Sequence, residues 1–196
     1  MELQRMFPGK AFISDILDLL EYKSDITGLM KRRYLMRAAM AGIIVGFLYI
    51  GNYTIQSGLE ALSFASQEEG LLPIGKLLGA AFFGFALVFI YFSKSELLTS
   101  NMMITSIGFY FHRITVTRIG RVLFLCYLGN FLGGLFVAVL SWMSSFINQG
   151  ALALMEHSAD VKLAYITDGP VGWFDLLVRA IFCNFMINLA MLLVYN

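Results

Sequence analysis

The chain has 196 residues, of which 59% are hydrophobic and only 14% are charged, and its mean hydropathy is +0.75. This composition excludes a water-soluble domain and, with several long apolar runs, indicates a polytopic, all-α membrane protein. The formal net charge of +1 excludes nothing by itself, because in a membrane protein the placement of charge matters more than its sum.

Residues 1–30 are predicted to form an N-terminal cytoplasmic arm. Within it, the segment from Ala11 to Tyr22 places its apolar residues mostly on one helical face and its acidic residues on the other. The pattern predicts a short amphipathic helix. We expect it to lie on the membrane surface or on a neighbouring subunit.

Residues 31–196 are predicted to form the membrane domain. Four apolar stretches are long enough to cross a bilayer, near residues 34–53, 72–111, 122–147 and 173–196. In the first, Gly42 and Gly46 have the spacing that lets another helix approach closely. The segment 148–172 is polar and is predicted to be a loop.

The second stretch is interrupted near residues 93–101. Its apolar run resumes only at 102–111, about ten residues, which is too short to cross a bilayer that needs ~20 helical residues. In lipid, a broken backbone is tolerated only where protein buries it or where it lines an aqueous cavity. A discontinuous helix therefore predicts a transport site, and the alternative is an ordinary loop between two separate helices.

The residues at this interruption have the chemistry of one helix ending and another beginning. Lys94 suits the negative end of the first helix, and the second can begin with the N-cap residues Thr99, Ser100 and Asn101. The amides of that helix start would then face the middle of the membrane and attract an anion.

Basic residues predict the orientation of the chain. Seven of the fourteen Lys and Arg lie between Arg5 and Arg37, and three more lie at 113–121, between the second and third stretches. The other two connections hold only Lys162, apart from Lys76 at the start of the second stretch. The positive-inside rule then predicts a multi-pass protein of the cell membrane with a cytoplasmic N-terminus.

Chemistry other than transport has little support in the sequence. Cys126 and Cys183 both lie inside apolar runs, so we expect packing residues and not a disulfide or a metal site. Glu156, His157 and Asp160 are expected in an exposed polar loop, so no metal or other cofactor is predicted. No nucleophile–base pair, phosphate-binding loop or dinucleotide fingerprint is present, so neither an enzyme nor a nucleic-acid partner is expected.

Three motifs carry a resemblance to a known family. They are Ser-Glu-Leu-Leu-Thr-Ser-Asn at 95–101, Tyr-Leu-Gly-Asn-Phe-Leu-Gly-Gly at 127–134, and Arg-Ala-Ile-Phe-Cys-Asn at 179–184. Their order and spacing resemble the second, third and fourth helices of the formate/nitrite transporter family. The resemblance extends from about residue 33 to the end of the chain.

This resemblance implies an aquaporin-like bundle of six spans with an interrupted second helix. It implies a homopentamer in a bacterial inner membrane, with one pore per protomer. It also implies passage of small monovalent anions such as formate, nitrite, hydrosulfide or lactate, either passively or linked to protons.

The resemblance assigns two groups of site residues by position. The first group would form the pore and its hydrophobic constriction: Phe83, Leu87, Leu97, Leu98 and Thr99. The second group would form the broken-helix loop and attract the anion: Lys94, Glu96, Ser100, Asn101, Lys162 and Asn184.

Each assignment has a structural alternative. Glu96 can carry a proton, or it can hydrogen-bond the loop or pair with Lys94. Lys94 can simply extend to the cytoplasmic interface. Phe83 and Leu87 can face lipid or pack in the core, whereas Asn130 and Asn188 are interpreted as interhelical hydrogen-bonding residues.

The sequence departs from the family pattern at several positions. Leu98 replaces a common Phe, Ala180 replaces a common Gly, and Lys162 lies farther from Asn184 than in the family. The chain also ends before the family's fifth and sixth spans, which carry its pore histidine, and neither His112 nor His157 is placed to replace it.

These departures keep two alternatives open. The first is a truncated, non-transporting membrane fragment or structural subunit. The second is a neutral-solute channel of the aquaporin type, which is disfavoured because the paired Asn-Pro-Ala helix starts are absent.

Overall fold

The computed structural model describes residues 8–66 and 71–195, and these ranges are almost entirely helical. Residues 1–7 of the predicted arm lie outside the described residues. The described helices are α1 (Pro8–Leu29), α2 (Lys31–Ser66), α3 (Leu71–Phe92), α4 (Leu98–Tyr110), α5 (Val116–Met143), α6 (Gln149–Thr167) and α7 (Gly169–Tyr195). The all-α prediction is confirmed.

Four stretches of the described helices are long and apolar enough to cross a membrane: Lys31–Ser63, Pro73–Phe92, Val116–Met143 and Gly169–Leu193. The interruption of the second membrane segment is also confirmed, because α3 ends at Phe92 and α4 begins only at Leu98. Within this break, Lys94 has a φ of +54°, the left-handed conformation that costs a non-glycine residue energy.

The prediction of a polar loop at 148–172 is wrong, because most of that segment forms α6. Its sequence contains four Ala and three Leu, which are strong helix formers. The side chain of Asn148 caps the helix by accepting the amide hydrogen of Ala151, with Oδ1 2.6 Å from N. Intrinsic propensity and a cap therefore form a helix that lacks a long apolar run.

The chain divides into two compact units, and the first contains residues 1–42, 94–133 and 184–196. In its described part, Ile16 and Leu20 of α1 form a buried cluster with Ile104 of α4 and with Ile114. The helix α1 is longer than the predicted segment 11–22. Its apolar face packs against its own chain, which differs from the expectation of a membrane surface or a neighbouring subunit.

A second buried cluster of this unit joins α1, α2 and α5. It contains Ile26, Tyr34, Ala38, Val122 and Cys126, and Tyr34, Ala38, Val122 and Cys126 have no exposed surface. The helices α2 and α5 approach closely here because position 129 is glycine, where a Cβ would collide with Ala38.

The second unit contains residues 43–93 and 134–183. Close packing at small residues recurs in it: a Cβ at Gly46 would lie 3.1 Å from Val137 Cβ, and a Cβ at Gly75 would lie 3.1 Å from Leu59 Cβ. The start of α6 is tied to α2 by a 3.2 Å hydrogen bond between Ser57 Oγ and Asn148 Oδ1.

The last helix, α7, is the least covered of the four membrane-length stretches. Only 6% of its spanning stretch is buried, and large apolar side chains such as Phe182, Phe185 and Met186 are more than 60% exposed. In a bilayer these side chains would face lipid or other protein.

Candidate functional site

Glu96 lies at the centre of the helix break, in the first unit. Its side chain is 2% exposed. The carboxylate is paired with Lys23 Nζ of α1 through Oε2, and its Oε1 lies 3.2 Å from Arg37 Nη2 of α2. A buried charge is stable only when it is paired and hydrogen-bonded. Two cations therefore hold one carboxylate at the break and leave a surplus of one positive charge.

Asn101 extends this network from the first turn of α4. Its side chain has no exposed surface. Its Oδ1 accepts a hydrogen bond from Lys23 Nζ at 2.7 Å, while its Nδ2 donates to Tyr34 Oη at 3.0 Å and to Glu96 Oε2 at 3.2 Å. A single buried lysine thus joins the carboxylate and the amide.

Asn130 of α5 fixes the backbone on both sides of the break. Its Nδ2 donates to the carbonyl oxygens of Ala38 and Glu96, each at 2.8 Å, and its Oδ1 accepts the amide hydrogen of Leu98 at 3.0 Å. Both N–H donors of this side-chain amide and its carbonyl oxygen therefore make hydrogen bonds. The interpretation of Asn130 as an interhelical hydrogen-bonding residue agrees with these contacts.

This geometry corrects the predicted start of the second half-helix. The N-cap is Leu97, whose side chain makes no capping hydrogen bond, whereas Thr99, Ser100 and Asn101 lie inside the first turn. Asn130 of α5 caps α4 instead, because its Oδ1 accepts the amide hydrogen of Leu98. A cap from a distant part of the chain leaves no local sequence signal.

Arg37 also holds the backbone of the break. Its Nε donates to the carbonyl oxygen of Lys94 at 2.8 Å, and its own carbonyl oxygen accepts the amide hydrogen of Glu96 at 3.2 Å. Together with its ion pair, these contacts keep the loop in the conformation that places Lys94 at positive φ. Neither Lys23 nor Arg37 is among the site residues predicted from the sequence.

Two hydroxyl groups beside the break are buried and lack hydrogen-bond partners among the described residues. They are Thr99 Oγ1 and Ser100 Oγ, and Ser100 is only 3% exposed. A buried hydroxyl without a partner costs free energy. Each of these two hydroxyls therefore keeps a hydrogen-bond donor that the described residues do not use.

Two predicted residues of the second unit, Phe83 and Lys162, contact a residue that the sequence analysis missed, Tyr49. The ring of Phe83 packs edge-on against Tyr49 with centroids 6.2 Å apart. Lys162 Nζ lies 5.8 Å from the centroid of the same ring, and Leu87, on the same helix as Phe83, is half-buried. The lysine on α6 and the phenylalanine on α3 therefore share an aromatic neighbour.

The other predicted site residues are not gathered into one cluster. Leu97 and Leu98 are half-buried at the start of α4, Lys94 is exposed in the break, and Asn184 is half-buried on α7. His157 lies on the helix α6 and not in a loop. Within the described ranges, no group of three His, Cys, Asp or Glu residues could hold a metal ion.

A break in a membrane-length helix that is held by buried polar side chains is typical of membrane channels and transporters. The family model described as "Formate/nitrite transporter" matches residues 13–196. The chain belongs to the formate/nitrite transporter family, which confirms the resemblance, and members of this family are transporters and not enzymes.

Two relatives support this assignment. The formate channel FocA of Haemophilus influenzae is 31% identical over 172 residues, covering 85% of this chain and 55% of that protein. A solved structure described as an FNT family ion channel matches with a TM-score of 0.58 at 26% identity, covering 68% of this chain and 49% of that one. The aquaporin-like fold is confirmed. The chain spans about half the length of these relatives.

Proposed function

We propose that this chain forms part of a membrane channel for small monovalent anions such as formate or nitrite, passive or proton-linked, and that it works as a homopentamer. The observation that carries the proposal is the helix break at residues 93–97, which is held by Lys23, Arg37 and Glu96 with an excess of positive charge. Membership of the formate/nitrite transporter family supports the same substrate class.

Physical chemistry explains why such a break suits an anion. A small anion in hydrocarbon loses its hydration at a cost of many kcal/mol. The N-terminus of α4 offers a partial positive charge of about half a unit, although the amide of Leu98 is already bound to Asn130. The buried hydroxyls of Thr99 and Ser100 offer further donors to the passing ion.

The remaining residues complete the proposal without forming one observed cluster. Leu97 and Leu98 would exclude water from the path beside the break in the first unit, and Phe83 and Leu87 would exclude water within the second unit. Lys94 and Lys162 would raise the concentration of anions, while Glu96, Asn101 and Asn184 would shape the broken-helix loop and its surroundings.

Flux measurements in proteoliposomes test this function. Liposomes containing the 196-residue chain are expected to take up formate and nitrite faster than empty liposomes, with no gain for glycerol. Glycerol uptake would favour a neutral-solute channel. A folded protein without flux of any of the three solutes would sink the proposal and favour the non-transporting membrane fragment or structural subunit.

The variant Thr99→Val tests the site within the same assay. It keeps the side-chain shape but removes the buried hydroxyl, so formate flux is expected to fall by about tenfold, as for the loss of one hydrogen bond to a charged group. The matched control is Ser106→Ala, because the Ser106 hydroxyl is exposed and bound to the carbonyl oxygen of Met102. Equal formate fluxes in the two variants would show that the Thr99 hydroxyl does not contact the permeating anion.

A further inference from the structure

The first unit contains a small polar cavity of about 180 Å³. Its lining residues come from α1, from the start of α5 and from the connection between α4 and α5: Leu20, Glu21, Ser24, Asp25, Arg113, Ile114 and Arg118. Leu20 and Ile114 belong to the buried cluster that joins α1 to α4. Apolar packing therefore holds the two sides of the cavity together.

Both signs of charge line this cavity. Glu21 and Asp25, about one helical turn apart on α1, supply two carboxylates, and Arg113 and Arg118 supply two guanidinium groups. All four residues are exposed, and in the described part of the chain none of them forms an ion pair. The cavity therefore has an acidic side and a basic side, which together suit a ligand that carries a positive and a negative group close together.

The cavity lies where a membrane helix begins. The spanning stretch Val116–Met143 starts between Arg113 and Arg118, so both arginines lie at the depth of the lipid headgroups. In the same connection, Tyr110 and Phe111 expose their aromatic rings, which would contact acyl chains in a bilayer. A phospholipid can therefore place its headgroup in the cavity while its acyl chains stay in the membrane.

We propose that this cavity binds the headgroup of phosphatidylethanolamine, with the phosphate at Arg113 and Arg118 and the ammonium group at Glu21 and Asp25. Guanidinium groups bind phosphate through paired hydrogen bonds, and a primary ammonium group donates hydrogen bonds to carboxylates. Phosphatidylcholine has no such donor, because its nitrogen carries only methyl groups. Phosphatidylglycerol has no cation to pair with the two carboxylates. The proposal does not depend on anion transport.

Native mass spectrometry of the delipidated chain in detergent tests the headgroup preference with three lipids that have identical acyl chains. Phosphatidylethanolamine is expected to bind at least about fivefold tighter than phosphatidylcholine or phosphatidylglycerol, the gain from one or two exposed ion pairs. Soluble glycerophosphoethanolamine at the same concentration is expected not to bind, since it has no acyl chains to bury. Equal affinities for the three lipids, or binding of the soluble headgroup as tight as that of the lipid, would overturn the proposal.

Removing the carboxylates tests the acidic side of the cavity. In the double variant Glu21→Gln/Asp25→Asn the two arginines remain, so phosphatidylglycerol is expected to bind tighter than phosphatidylethanolamine. The matched control Asp15→Asn/Asp18→Asn removes two exposed carboxylates of α1 that do not line the cavity. It is expected to keep the original preference. The ratio of two affinities within one variant does not depend on the amount of folded protein, and an equal change of this ratio in both variants would contradict the proposal.

Removing the arginines tests the basic side. Arg113→Gln/Arg118→Gln is expected to weaken the binding of phosphatidylethanolamine at least about fivefold, because its phosphate loses both partners. The control Arg32→Gln/Arg33→Gln removes two exposed cations at the start of α2 and is expected to leave this affinity unchanged. If the two double variants weakened binding equally, general attraction to basic residues would replace the cavity as the explanation.

Discussion

The carboxylate of Glu96 is stable in its buried position only because Lys23 and Arg37 pair with it. Glu96→Gln preserves the shape of the side chain but leaves Lys23, which is 6% exposed, without its counter-charge. We expect the free energy of unfolding to fall by roughly 3–5 kcal/mol, the usual cost of breaking a buried pair. Unfolding in detergent, followed by circular dichroism, measures this change.

An exposed ion pair of the same chain serves as the control. Arg179 and Asp175 form an i,i+4 pair on α7, with 62% and 44% of their side chains exposed. Water screens such a pair, so Arg179→Gln is expected to leave the free energy of unfolding almost unchanged. Similar losses in both variants would show that the network around Glu96 adds no stability through its burial.

Asn130 makes a second test possible at a single residue. Asn130→Ala removes three hydrogen bonds that fix Ala38, Glu96 and Leu98, and we expect a loss of roughly 2–4 kcal/mol because buried backbone groups lose their partners. Asn188→Ala is the control, since Asn188 Oδ1 is buried without a partner in the described part of the chain. The free energy of unfolding of both variants is measured in detergent. If Asn188→Ala lowered it as much as Asn130→Ala, this account would be contradicted.

The sequence predicted the position of the break but not its partners. A cluster of polar residues inside an apolar run is a local signal, and it indicated the loop around Glu96 and Asn101. Lys23, however, is 73 residues away from Glu96, and it lies in a helix that was expected to rest outside the bundle. Hydrophobic periodicity indicates which face of a helix is buried, but it does not indicate which other element that face packs against.

Among the helices, α5 shows how a small residue controls packing. At Gly129 a Cβ would collide with Ala38 and lie 2.9 Å from the carbonyl oxygen of Leu35. Gly129→Ala is therefore expected to cost about 1–3 kcal/mol of stability, because helix backbones cannot move apart freely. The melting temperature in detergent, read by circular dichroism, is the measurement.

The same helix supplies the control variant. Among the described residues, no atom outside the adjacent residues and the nearby backbone of α5 lies within 4 Å of a Cβ at Gly134. Alanine is also a better helix former than glycine by up to about 1 kcal/mol. Gly134→Ala is expected to keep or raise the melting temperature. If both alanine variants melted at the same temperature, close approach at Gly129 would not be important for stability.

At the scale of elements, the length of apolar runs predicted the membrane segments, while α6 was missed. Its polar residues predict a loop, although Asn148 has the chemistry of an N-cap and the following residues favour a helix. The helix is also held by Ser57 through Asn148. A helix without an apolar stripe is predicted only when helix propensity and the N-cap residue are considered together.

For the whole molecule, the distribution of basic residues is the strongest indication of orientation. Ten of the fourteen Lys and Arg lie between Arg5 and Arg37 or between Arg113 and Arg121, and these two regions are predicted to share the cytoplasmic side. The segment that forms α6 carries only Lys162. It is therefore expected on the opposite side of the membrane.

Labelling of introduced cysteines tests this topology in a Cys183→Ser background, in which the remaining native cysteine, Cys126, is buried. Gly120→Cys lies between Arg118 and Arg121, and Gly120 is exposed. Ala153→Cys lies at an exposed position of α6. In intact cells, a membrane-impermeant maleimide is expected to label Ala153→Cys and to label Gly120→Cys only after permeabilisation. If Gly120→Cys were labelled in intact cells and Ala153→Cys only after permeabilisation, the orientation of the chain in the membrane would be opposite to the predicted one. The α6 lysine would then face the cytoplasm and could not collect anions arriving from outside.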